Sequence, residues 1–182
     1  MRCITVQHKS VYEDCIKKNG EYRANYNNVS DILIKPYKFM QDHFNWKSAP
    51  IFLVPEGHYI EMGGAKFGDE SVAIELDIPD KYVKIQRYYD WSDFIYFTEN
   101  PLEFRDASNV NLFKTVEDWA KTIMDIKDSI AKADEYKDPL QATIEFISPT
   151  WLVCASYNVD KLAKMHDQTG GKNILKRLRN YV

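Results

Sequence analysis

The order of strand-like and helix-like segments is the feature that most constrains the fold of this chain. Short apolar runs of strand length lie near both ends, and helical patterns lie between them. The regular alternation of strand and helix that builds a doubly wound sheet does not occur. The order therefore predicts an α+β fold with a mixed or mainly antiparallel sheet and flanking helices. With 182 residues and a hydrophobic fraction of 45%, the chain is expected to form a single domain over residues 1–182.

Apolar runs bounded by turn residues give the expected strands, and capping residues give the expected helices. Strands are expected at residues 3–7, 50–55, 58–61, 71–78, 83–86, 141–147 and 151–156. Helices are expected at 10–18, 35–44, 115–133, 160–166 and 173–181, with an aromatic segment at 88–97 and an irregular stretch from there to residue 113. Ser10 and Thr115 are the expected N-caps, and Pro36 is expected in the first turn of its helix.

Charge and cysteine content limit the setting in which the protein works. A net charge of -3 and a pI near 5.8 argue against a general nucleic-acid coat protein, although Lys172, Lys176, Arg177 and Arg179 form a basic run that could contact phosphate. The three cysteines are odd in number and far apart, which favours buried thiols over disulfides. No apolar run approaches the roughly 20 residues that cross a bilayer. We therefore expect a cytoplasmic protein with no membrane partner.

Three polar residues at two-residue spacing, Gln141, Thr143 and Glu145, interrupt an apolar run near the C-terminus. In a strand these side chains share one face, and the intervening apolar residues face the core. Two hydrogen-bonding groups and a carboxylate on one strand could form a catalytic surface. An edge strand with a solvated face fits the same residues equally well.

A second candidate is Arg23, which follows the Gly20 turn and lies next to Tyr22. An arginine beside an aromatic ring can bind a pyrophosphate while a base or nicotinamide ring stacks nearby. An exposed loop arginine without a ligand is the simpler interpretation of the same pattern.

Other chemistries have weaker signals. The four histidines are scattered, and neither H-x-x-x-H nor C-x-x-C occurs, so no metal site is expected. Neither G-x-G-x-x-G nor G-x-x-x-x-G-K-[ST] is present. Glu75 and Asp77 share one face of a predicted strand, but acids on a solvent-facing strand are common.

Several stretches resemble a family of bacterial and phage domains of unknown function. They are residues 71–91, from Ser-Val-Ala-Ile-Glu-Leu to Tyr-Asp-Trp, and the Leu-Gln-Ala-Thr run at 140–143. The opening Ile-Thr-Val-Gln at 4–7 and the Gly-Glu-Tyr-Arg at 20–23 are similar to the start of that family. Together they cover about half of the chain.

The layout also resembles, more distantly, the ADP-ribosyltransferase superfamily, in particular the DarT-like enzymes that modify DNA. That resemblance implies an ADP-ribosyltransferase-like fold and NAD as substrate, without a metal. It implies that Gln7, or else Thr5, makes the first-strand contact with NAD, and that Glu145 is the late-strand glutamate.

The reaction that this resemblance implies suits the residues present, because an oxocarbenium-like ribose needs positioning and a nearby carboxylate. Glu145 would stabilise the cationic sugar, and Gln141 and Thr143 would orient the substrate. Arg23 would bind a pyrophosphate oxygen, and Tyr22 would offer a stacking face. The acceptor would be nucleic acid, held by the basic C-terminal run, or a protein. A nucleobase N-glycosylase and a non-catalytic phage or defence-system interaction protein are the alternatives.

Overall fold

The computed structural model of the protein describes residues 1–56, 68–106, 115–136 and 138–162. Its strands are β1 (Arg2–His8), β2 (Tyr22–Arg23), β3 (Ile51–Pro55), β4 (Ser71–Asp77), β5 (Lys84–Arg87), β6 (Leu140–Ile144), β7 (Phe146–Ile147) and β8 (Leu152–Ser156). Six of them form one sheet in the order β5-β6-β3-β1-β4-β8, and β2 pairs with β7 in a second, small sheet. Every one of these pairings is antiparallel, as expected.

The described residues contain five α-helices. They are α1 (Asp31–Phe44), α2 (Tyr88–Glu99), α3 (Pro101–Asp106), α4 (Val116–Ile123) and α5 (Ile126–Tyr136). The expected α+β class with flanking helices is therefore confirmed. Among the described residues, no helix is both long enough and apolar enough to span a bilayer.

The two faces of the large sheet carry different apolar clusters. On one face, which we call the α5 face, Ile74 and Ile144 belong to the same buried cluster as Ile130 of α5. On the opposite face, which we call the α2 face, the Phe52 ring lies 5.3 Å from Trp91 of α2. Because helices cover both faces, central strands such as β6 are buried on both sides.

The helix expected over 115–133 is in fact two helices. Asp125 separates them, because its Oδ1 accepts hydrogen bonds from the backbone N–H groups of Lys127 at 2.8 Å and Asp128 at 3.2 Å and so caps α5. Buried residues of α4 join the cluster on the α2 face, whereas those of α5 join the cluster on the α5 face. The break lets one amphipathic stretch cover both faces. Thr115 is confirmed as the N-cap of α4, since its Oγ1 accepts a hydrogen bond from the backbone N–H of Asp118 at 3.1 Å.

Three other expectations need correction. The second helix begins at Asp31, so Pro36 lies inside it and not in its first turn. The aromatic segment and much of the stretch after it are α2 and α3, because buried residues recur there at helical spacing. The helix expected at 10–18 is a π-helical turn, Val11–Cys15, followed by a 3-10 turn, Ile16–Lys18. The strand expected at 58–61 and the helix at 173–181 lie outside the described residues, as does most of the helix at 160–166.

Candidate functional site

Glu145 lies at a bend between the two sheets. The strand expected at 141–147 is divided there, because β6 ends at Ile144 in the large sheet and β7 begins at Phe146 in the small one. The small sheet sets Arg23 directly opposite Phe146. The register of this short pairing brings a residue from the start of the chain beside the Glu145 carboxylate.

Two donors converge on one oxygen of Glu145. Its Oε1 accepts a hydrogen bond from Nη1 of Arg23 at 2.7 Å and another from the backbone N–H of Lys47 at 2.7 Å. Its backbone carbonyl accepts from Oγ of Ser48 at 2.6 Å. No donor within the described part of the chain contacts Oε2, and the side chain is 21% exposed. The carboxylate is thus fixed in orientation through one oxygen, while no described residue donates to the second.

The segment that supplies the Lys47 N–H is positioned by the end of α1. Asn45 has a φ of 54°, a left-handed conformation that ends the helix and turns the chain back. An isolated bridge between Ala24 and Ala49 then ties this segment to the residues after β2. The Lys47 amide is a contribution that sequence patterns do not reveal, because it depends on the backbone and not on a residue type.

Arg23 is held on three sides. Its Nε donates to Oε1 of Glu21 at 2.7 Å, its Nη1 donates to Glu145, and its guanidinium lies 4.7 Å from the centre of the Phe146 ring. Phe146 in turn packs against Trp151 at 4.9 Å and Tyr82 at 5.5 Å between ring centres. In the described part of the chain Nη2 has no acceptor. An open donor on Arg23 therefore lies near an open acceptor on Glu145.

Tyr22 does not share the surface that Arg23 uses. Neighbouring residues of a strand point to opposite sides, and Tyr22 pairs with Ile147 and packs against the core on the α5 face. Burial raises the pKa of its hydroxyl. The aromatic ring beneath the arginine is Phe146, which the sequence pattern assigned to the core side of a strand.

Gln141 and Thr143 lie inside the protein and not on the open face expected for them. Thr143 is 0% exposed and Gln141 is 4% exposed. Thr143 shares a buried hydrogen bond of 3.1 Å with Nε2 of Gln86, on the neighbouring strand β5. Nε2 of Gln141 is buried and has no acceptor among the described residues. Sequence analysis missed Gln86, because the pairing of β5 with β6 joins residues 57 positions apart.

Thr5 and Gln7 lie on the α5 face, opposite to Gln141 and Thr143. In β1 they pair with Ile74 and Val72, which belong to the cluster of that face. Nε2 of Gln7 donates to Oγ1 of Thr5 at 2.8 Å, and Thr5 donates to the carbonyl of Phe52 at 2.9 Å. The predicted residues of the first and the late strand therefore do not form one continuous surface.

The ends of β1 and β6 nevertheless lie at the same end of the sheet. Both strands are antiparallel to β3, which lies between them, so they run in the same direction. Gln7, near the end of β1, and Glu145, directly after β6, are consequently separated sideways by about 10 Å, the width of two strand spacings. Of the residues proposed from sequence, Glu145 and Arg23 are in direct contact, and Gln7 is at the same sheet end.

Two further predictions concern metal and phosphate contacts. The described residues contain no group of three or more histidine, cysteine or acidic side chains placed to hold a metal ion. The basic residues Lys172, Lys176, Arg177 and Arg179 lie outside the described residues. The cysteines Cys3, Cys15 and Cys154 are free thiols.

The fold and site define an α+β protein in which a carboxylate is fixed between an arginine and a backbone amide at one end of an antiparallel sheet. Comparison of the chain with protein-family models, with curated proteins and with solved structures finds no match.

Proposed function

We propose that the protein is an ADP-ribosyltransferase-like enzyme that transfers ADP-ribose from NAD to a nucleic-acid or protein acceptor. The observation that carries the proposal is the carboxylate of Glu145, fixed at Oε1 by two donors and open at Oε2. A fixed carboxylate is what a reaction through a cationic sugar requires, because its charge is in place before the bond breaks.

In this reaction the bond between C1′ of the ribose and the nicotinamide nitrogen breaks, and nicotinamide keeps the bonding electrons. A nucleophilic atom of the acceptor then bonds to C1′ and loses its proton to water. Oε2 of Glu145 would accept a hydrogen bond from a ribose hydroxyl, and the carboxylate would stabilise the positive charge on the sugar. Glu21, Arg23 and Glu145 together carry a formal charge of -1, which favours a cationic transition state.

The open Nη2 of Arg23 is the donor for a pyrophosphate oxygen. Stacking on Phe146 and the hydrogen bond to Glu21 fix the guanidinium plane, which reduces the entropy lost when a phosphate binds. Tyr22 acts as a positioning residue, because its pairing with Ile147 holds Arg23 in register with Phe146.

Gln141 and Thr143 are positioning residues in this proposal. The Thr143 side chain bonds Gln86, and Gln141 pairs with Gln86 in the ladder between β5 and β6. Both therefore help to hold β6, which ends directly before Glu145. Gln7, at the same sheet end as Glu145, is the first-strand side chain available for a contact with NAD, and Thr5 supports it through their hydrogen bond.

The test is incubation of the purified protein with NAD labelled in its adenylate part, together with single-stranded DNA, duplex DNA, RNA or a protein extract. We expect release of nicotinamide and transfer of label to one acceptor class. Glu145→Gln should abolish both, because the amide is isosteric but carries no charge. Glu117→Gln, which changes an exposed glutamate on α4, is the matched control and should keep full activity.

Three outcomes contradict the proposal. One is a wild-type protein that neither consumes NAD nor labels any acceptor. Another is full transfer by Glu145→Gln with an unchanged circular dichroism spectrum. The third is formation of abasic sites in DNA without NAD, which would assign the site to an N-glycosylase.

A further inference from the structure

One side of α2 presents two tyrosines with an acid between them. Tyr89, Asp93 and Tyr96 follow at positions i, i+4 and i+7, so they lie in one row along the helix. Tyr89 and Tyr96 are each 50% exposed, whereas Trp91 and Phe94 on the other side of the helix are buried. The row therefore faces away from the core.

The Asp93 carboxylate has no cationic partner in the described part of the chain. Partial burial raises the pKa of this carboxyl, and the more distant Arg87 lowers it by less. Arg87 itself forms ion pairs with Asp90 at 3.1 Å and Asp138 at 2.7 Å. Asp93 is exposed, and no described cation neutralises it, so a cation from outside could do so.

The row continues onto α3. The hydroxyl of Tyr96 donates a hydrogen bond to Oε2 of Glu103, which fixes the ring relative to α3. Leu102, beside it in the chain, is 65% exposed. We call the surface formed by Tyr89, Asp93, Tyr96, Leu102 and Glu103 the tyrosine-acid face. It combines exposed rings, an exposed aliphatic group and two carboxylates.

We propose that the tyrosine-acid face binds a segment of a partner protein that is rich in lysine and arginine, with one basic side chain inserted between Tyr89 and Tyr96 above Asp93. Seven residues of helix span about 10.5 Å, so the two tyrosines lie about two turns apart with Asp93 between them, and each ring offers a face for cation–π attraction. The carboxylate beneath supplies the opposite charge, and Leu102 offers contact for an aliphatic stem.

The sign of the charge selects this partner over nucleic acid. A phosphate backbone would be repelled by Asp93 and Glu103, whereas lysine and arginine are attracted to both carboxylates and to the ring faces. The proposal concerns α2 and α3 and does not depend on the chemistry at Glu145.

The test uses a fluorescein-labelled nonapeptide of lysine, arginine and glycine, with fluorescence anisotropy as the readout. We expect saturable binding to the wild-type protein and a Kd about tenfold higher for Asp93→Asn and for Tyr89→Ala, which corresponds to the loss of one cation–π contact with its ion pair. Asp42→Asn, which changes an exposed acid on α1, and Tyr157→Ala, which changes a tyrosine that is 57% exposed, are the controls and should bind as wild type.

Equal weakening by Asp93→Asn and Asp42→Asn would overturn the proposal, because it would mean that the peptide responds only to total charge. Absence of binding to the wild-type protein would overturn it as well. Sedimentation velocity provides a second readout. A wild-type dimer that becomes monomeric in Asp93→Lys would assign the face to a second copy of the chain and not to a basic partner.

Discussion

Arg23 and Glu145 are 122 residues apart in the sequence, yet Nη1 of the arginine lies 2.7 Å from Oε1 of the glutamate. The contact depends on the pairing of two strands of two residues each, β2 and β7. Both side chains are partly exposed, so the ion pair contributes little to the free energy of unfolding despite its short distance. Its main effect is to fix the orientation of the Glu145 carboxylate.

In the proposed transfer reaction, Arg23→Lys should reduce the rate by more than tenfold. A lysine cannot reproduce both hydrogen bonds of the guanidinium or its stacking on Phe146. The free energy of unfolding should fall by less than about 1 kcal/mol, since partly exposed ion pairs contribute little. Arg2→Lys is the matched control, because Arg2 is also 39% exposed and also lies 2.7 Å from a glutamate, Glu75. Equal transfer by the two variants in the labelled-NAD assay would contradict the prediction.

Thr143→Val should lower the free energy of unfolding by about 1–3 kcal/mol. The change removes the buried partner of Gln86 Nε2 and leaves that donor without an acceptor. Urea denaturation followed by tryptophan fluorescence measures the loss. Thr150→Val changes an exposed threonine whose hydroxyl lies 2.8 Å from that of Ser148, and it should change stability by a few tenths of a kcal/mol. A neutral effect at Thr143 would mean that the buried polar contact has no structural role.

Asp125→Ala should destabilise the protein by about 1 kcal/mol. The carboxylate caps α5 by accepting from two backbone N–H groups, and alanine leaves both without that acceptor. Lys127→Ala, an exposed change in the first turn of the same helix, serves as control and should stay within a few tenths of a kcal/mol. If α4 and α5 were instead one continuous helix in solution, Asp125→Ala would stabilise it, because alanine is the stronger helix former.

The thiol of Cys154 should react slowly with iodoacetamide at pH 8. Burial is the largest cause and the hydrogen bond to Glu75 the second, and together they raise the pKa of Cys154 to about 11. About one thiol in a thousand is therefore ionised at pH 8. The rate should rise about tenfold per pH unit until the pH approaches that pKa. Glu75→Gln should accelerate alkylation, because it removes the carboxylate that opposes ionisation. Glu70→Gln, on the exposed surface, should leave the rate unchanged.

Local sequence patterns were sufficient to locate strands whose apolar residues are bounded by turn residues. The run at 50–55 and the run at 71–78 match β3 and β4 to within one residue, because turn residues bound both. The order of such runs predicted a mixed or mainly antiparallel sheet but did not decide between the two. Periodicity also located the stretch at 115–133, but the apolar spacing continues across Asp125, so it gave no sign that the two halves cover different faces.

The candidate site required pairings that no local pattern encodes. Alternation correctly placed Gln141 and Thr143 on one strand face, but it could not distinguish a face open to solvent from one covered by Gln86 of β5. Arg23 and Glu145 could each be selected from sequence by residue type and neighbours. Their contact could not, since strands of two residues are too short to show a period.

Glu145 lies between the ladders of β6 and β7 and belongs to neither, while its backbone carbonyl is held by Ser48. Neither that backbone anchor nor either ladder uses the Glu145 side chain. Variants with different side chains at position 145 can therefore be compared directly, because the backbone holds position 145 through contacts that do not depend on the side chain.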